Sequence, residues 1–165
     1  MNLDYQDPII KKYADLIQSK TNSFKRIYYG DPIRISASEL PALVITKNDT
    51  MVENFSNTED KHTIRLNFTI VADVRNTIGE DPTMVRGINN LYDLMEGRKD
   101  DYTLKSNCLV GILRNNVEID PAQNLRTDLS GFTKVDYGMT IDKRGENSFA
   151  MEGVVEINAN FIQIR

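Results

Sequence analysis

The chain has 165 residues, 40% of them hydrophobic and 27% charged, and carries a formal net charge of −4. That length fits a single domain spanning 1–165 with a proper core, and the composition is that of a soluble globular protein rather than a disordered one. The slight acidity excludes a general nucleic-acid coat, and no apolar run approaches the ~20 residues that a membrane helix needs.

Asp7-Pro8 is a helix start, because Asp caps free amides and Pro suits the first helical position. Ile9, Ile10, Tyr13, Leu16 and Ile17 form one apolar stripe on the helix that follows, which is expected to end near Thr21-Asn22. Phe24 to Tyr29 reads as a short strand, closed by Gly30-Asp31-Pro32, and Ile33 to Ile35 as a candidate second one. Ala42 to Lys47 is an apolar strand entered through Leu40-Pro41. The polar stretch from Asp49 to Asp60 reads as a long loop at the tip of a hairpin.

The second arm of that hairpin is the chain's clearest strand. Ile64, Leu66, Phe68, Ile70, Ala72 and Val74 alternate with Thr63, Arg65, Asn67, Thr69, Asp73 and Arg75, the period-two pattern of a strand with one wet face. Extended from Thr63 to Arg75 it would span roughly 40 Å, so part of it is expected to project beyond the core. After Gly79-Glu80-Asp81-Pro82 a second amphipathic helix carries Met84, Val85, Ile88, Leu91, Tyr92 and Met95 inward, with Gly97 as its C-terminal cap.

Tyr102 to Leu113 reads as another strand, and Arg114 to Gly131 as a second long loop with a short strand at Val117 to Ile119. Val135, Tyr137, Met139 and Ile141 alternate, as do Val155, Ile157, Ala159 and Phe161, with a turn at Lys143 to Asn147 between them. Ile162 and Ile164 fall on the opposite parity, which requires a bulge or an apolar contact on the strand's second face. The order of elements implies an α+β fold: an antiparallel or mixed sheet with two amphipathic helices packed on one face and a long β-hairpin.

Catalytic chemistry finds little to use. His62, the single histidine, is expected at the surface on the polar parity of its strand, and Cys108, the single cysteine, is expected to act as a small hydrophobe in an apolar strand. One cysteine forms no internal disulfide, which suggests a reducing compartment, and the N-terminus shows no signal-peptide pattern. Two Cys and His residues in total fall short of the four ligands of a structural zinc site. The acid pairs Glu59-Asp60 and Asp100-Asp101 are read as solvated, and the glycine-rich nucleotide signatures are absent. The expectation is therefore no catalytic residues, no metal site and no cofactor.

A resemblance goes further. An opening helix before Tyr28-Tyr29-Gly30-Asp31-Pro32, the strand entry Glu39-Leu40-Pro41-Ala42-Leu43-Val44-Ile45, the long alternating strand, the helix Met84-Val85-Arg86-Gly87-Ile88-Asn89-Asn90-Leu91-Tyr92-Asp93-Leu94-Met95 and a late pair of β segments follow in that order. This layout resembles the tail terminator, or tail completion, proteins of long-tailed bacteriophages. The resemblance implies a non-enzymatic virion protein, assembled in the host cytoplasm, that forms a homohexameric ring at the head-proximal end of the tail. Such a ring caps the tail tube, stops its polymerisation and offers a docking surface to the head-neck connector proteins. Its implied partners are thus itself, the tail tube protein and the neck, with no membrane and no sequence-specific nucleic acid, although DNA passes through such a ring. Another neck protein, a tail tube subunit and an unmarked α+β enzyme or binding domain are the alternatives. The residues expected at an interface with the tube or a neighbouring subunit are Met51, Val52 and Phe55, from apolar side chains in a polar tip, and Ile162 and Ile164, from the parity switch.

Overall fold

The computed structural model describes residues 6–73, 84–131, 133–139 and 150–165. Helix α1 (Pro8–Lys20) begins where expected. The Asp7 carboxylate accepts from the amides of Ile9 and Ile10 at 2.9 and 3.2 Å, and Pro8 opens the first turn. Its inner face, Ile10, Tyr13, Ala14 and Ile17, is buried. Strand β1 (Arg26–Tyr29) runs parallel to β2 (Ala42–Ser56), and β2 turns back into β3 (Glu59–Asp73). Helices α2 (Met84–Glu96) and α3 (Leu109–Asn115) follow, then short strands β4 (Glu118–Asp120) and β5 (Leu125–Asp128), and finally β6 (Val135–Met139) and β7 (Ala150–Ile164).

The architecture is α+β with a mixed sheet in the order β1-β2-β3-β7-β5-β4, and β6 also lies on β7. Among the described residues only the β1–β2 pairing is parallel. One face of the sheet carries Leu43, Ile45, Leu66, Phe68, Ile70 and Val155 against all three helices, with the Tyr13 ring edge-on to Phe68 at 5.4 Å between centroids. The Tyr13 and Thr127 hydroxyls share a 2.8 Å hydrogen bond in this core. On the opposite face Ala42, Val44, Val71 and Ala150 pack beneath Ile35 and Leu40.

Several sequence expectations are corrected. The stretch from Asp49 to Asp60 is not a long loop: β2 continues to Ser56, β3 begins at Glu59, and the turn between them is Asn57-Thr58. Strand pairing there is carried by the backbone and needs no apolar side chains, so composition did not betray it. Between Tyr102 and Leu113 there is no long strand. Its apolar end forms α3, with Cys108 as N-cap, so three helices rather than two cover the face. A short apolar run reads equally as strand or buried helix, and helix won. Ile33 to Ile35 is not a strand, and the stretch from Arg114 to Gly131 contains β4 and β5 as well as loop. The predicted turns at Gly79–Pro82 and Lys143–Asn147 lie outside the described residues.

Candidate assembly interface

Strands β2, β3 and β7 are each 15 residues long, about 50 Å when extended. Buried positions end at Ile45 on β2, but run from Ile64 to Ala72 on β3 and from Ala150 to Ala159 on β7, so the three strands outrun the core at the hairpin end. The last ten positions of β2, Lys47 to Ser56, are all exposed, and the ribbon that they form with the start of β3 and the end of β7 projects from the body of the domain.

The ribbon is tied together at both ends of its projecting part. At its base, Lys47 donates to Asp7 at 2.6 Å, which couples β2 to the cap of α1. Arg65 lies 3.5 Å from Asp49 and 3.6 Å from Glu156, and Asn48 donates to Glu156 at 3.1 Å, so one polar rung crosses all three strands. At the tip, the Arg165 guanidinium donates to the Asn54 side chain at 3.1 Å and to the Ser56 carbonyl at 2.8 Å, and the Arg165 amide donates to Thr58. Asp60 sits 3.5 Å from the same guanidinium, and Glu59 accepts from Ser56, so this acid pair is engaged in holding the hairpin tip.

All five residues expected at an interface lie on this ribbon, on its two outer strands. Met51, Val52 and Phe55 on β2 are 54%, 57% and 57% exposed, Ile164 on β7 is 76% exposed, and Ile162 is half-buried. Of the seven large, strongly exposed apolar side chains among the described residues, four are here. The β3–β7 register runs unbroken from Asp73↔Ala150 to Glu59↔Ile164, so no bulge accounts for the parity of Ile162 and Ile164. Those two alternate onto the face away from the helices, in line with Glu53 and Ser56 across β3. The bulges are in β2 instead, at Asn48 and at Phe55.

His62 departs from its expected setting. Counting in twos from Ile64 puts it on the apolar parity, and its ring stacks on Phe161 with centroids 4.4 Å apart and planes 9° from parallel. Its Nε2 is buried without a hydrogen-bond partner. Sequence reading missed this pair, although the alternation alone would have found it.

Elsewhere, Cys108 and Asp101 make local contacts that fix the backbone around them. The Cys108 thiol is buried at the start of α3, donating to the Lys105 carbonyl at 3.1 Å and accepting from the Gly111 amide at 3.4 Å. Asp101 holds a turn through the Thr103 amide and hydroxyl, which lower its pKa. No group of three or more metal-ligating side chains occurs among the described residues, and no helix among them is long and apolar enough to cross a membrane. Among the described residues, two grooves exceed 400 Å³. One, of about 430 Å³, lies where Tyr92 meets Tyr137 edge-on and Glu96 accepts from the Tyr137 hydroxyl. The other, of about 440 Å³, runs between the start of α1, the 121–124 turn and the end of β7.

Neither a protein-family model nor a curated protein matches the chain.

Proposed function

We propose that the protein is a tail terminator: a structural ring, hexameric by the resemblance, that caps a phage tail tube, stops its growth and presents a docking surface to the neck. In this reading it works at the head-proximal end of the tail after assembly in the host cytoplasm, and needs neither catalysis nor a cofactor. The observation that carries it is the projecting ribbon. A small domain has no use of its own for three strands that outrun its core, and exposed apolar side chains on such an extension favour a partner. The order of helices and strands supports the same reading.

Negative-stain imaging of the purified protein, alone and with the tail tube protein, tests it. Discrete rings that sit on tube ends and shorten the tubes are the expected result. Long tubes formed by this protein alone would make it a tube subunit, and a protein that leaves tube length unchanged is not a terminator.

A further inference from the structure

The two sides of the ribbon are open at the same height. On β2, β1 covers only Ala42 to Ile45, and among the described residues no strand pairs with the outer edge beyond. On β7, β6 covers Met151 to Val155 and β5 covers Asn158 to Asn160, and among the described residues no strand pairs with the outer edge from Phe161 onward. Through β3, Val52 is level with Phe161, Asn54 with Gln163, and Ser56 with Ile164. Unpaired strand edges are templates for pairing with another chain.

From this we infer that the β2 edge of one copy adds to the β7 edge of the next, seating Phe55 beside the groove walled by Ile9, Leu125, Phe161 and Ile164. The occupant of that groove is thus a second copy of this chain. Three features select it. Each strand is antiparallel to β3, so β2 and β7 run the same way, and copies related by rotation about an axis along the strands pair them in parallel. The open segments are level, so the contact adds no axial step. A heterologous contact without such a step closes into a ring, whereas one that climbs makes a fibre. Both edges also carry exposed apolar side chains, Met51 and Phe55 on one and Ile164 on the other, which pairing would cover. The inference deepens the ring reading and rests on it for closure, but the strand contact itself does not depend on what the ring caps.

Cysteine cross-linking of the full chain tests the contact. Asn54→Cys and Gln163→Cys change level positions that are two strands apart within one copy, about 10 Å, too far for a disulfide between them, and in the Asn54 variant the Ser56 carbonyl and Asp60 still hold Arg165. The native Cys108 is buried and out of reach. Mixing the two single variants under mild oxidation should give a disulfide-linked dimer, and the double variant a ladder that ends at the ring. Phe55→Ser should weaken self-association at least tenfold in sedimentation while the monomer melts as before. A dimer from Asn54→Cys alone, with no disulfide joining positions 54 and 163 in the mixture, would replace the contact by a β2–β2 pair and overturn the inference. So would a sedimenting monomer at all concentrations with no cross-link. Cross-linked rings that fail to stop tube growth support the strand contact and remove only the capping role.

Discussion

Arg165 reaches back across the end of the ribbon to Asn54, its guanidinium 3.1 Å from the side-chain oxygen. The residue that follows β7 is thereby fastened to the far strand of the hairpin, with the Ser56 carbonyl and Asp60 completing the grip. A ribbon without a core of its own would otherwise fray from its tip, since local opening is easiest where few apolar contacts are buried. The clamp ties the chain just past Ile164 to the tip of the hairpin.

Arg165→Ala should therefore act locally. The pair is partly exposed, so global stability is expected to fall by no more than ~1 kcal/mol. Amide exchange at Asn54 to Asp60 and at Ile162 to Ile164 should speed up well before the rest of the sheet changes. Unaltered exchange at the tip would show that the guanidinium holds nothing.

His62 is next. With its ring stacked on Phe161 and one nitrogen buried without a partner, it combines a packing gain with a desolvation penalty. His62→Ala removes the stack and is expected to cost about 1 kcal/mol. His62→Phe keeps the stack and removes the orphaned nitrogen, so it should be neutral or stabilising. Thermal melts of the two variants decide it. Equal destabilisation by both would mean that the imidazole has a partner of its own.

How far the sequence could be read depended on whether burial shaped it. Where a face meets the core, alternation and stripes marked the element: Ile10, Tyr13 and Ile17 on α1, Ile64 to Ala72 on β3, Val155 to Ala159 on β7. Outside the core that signal vanishes. Asp49 to Ser56 looks like a loop because both faces of the ribbon are solvated, and its pairing is recorded in backbone hydrogen bonds that no side-chain pattern reports. Cys108 to Leu113 failed for the opposite reason: buried on all sides, it shows no period at all. The interface residues were legible as misfits, apolar side chains in polar company, but the Arg165 clamp and the matching heights of the two edges emerge only from the register.

Asp7 links the core helix to the ribbon's base and should register in the acid limb of stability. Burial by itself raises its carboxyl, but the Lys47 ammonium and the amides of Ile10 and Ile9 outweigh that and hold it below its ordinary value. A carboxyl lowered in the folded state adds stability that is complete above the unfolded pKa, near ~3.9, and is lost as pH falls through the folded value. Asp7→Ala should remove the cap at a cost of about 1 kcal/mol near neutral pH. It should also flatten the stability–pH curve below pH ~4. An acid limb unchanged in the variant would place the titrating group elsewhere.

The exposed apolar triad on β2 gives the sharpest division between folding and assembly. Met51, Val52 and Phe55 stand on a strand whose backbone is already paired on its inner side, and none is more than half-buried. Serine at all three removes little buried area from the isolated chain, so its melting temperature is expected to stay within about 2 °C of the parent, as for other exposed substitutions. Association is different. If Phe55 is buried on contact with a second copy, its loss alone takes away ~1–3 kcal/mol, and the triple change should raise the concentration needed for ring formation more than tenfold. Sedimentation and thermal melts on the same samples separate the two effects. A lower melting temperature with unchanged association would mean that these side chains serve the ribbon's own stability, and that the contact between copies lies elsewhere.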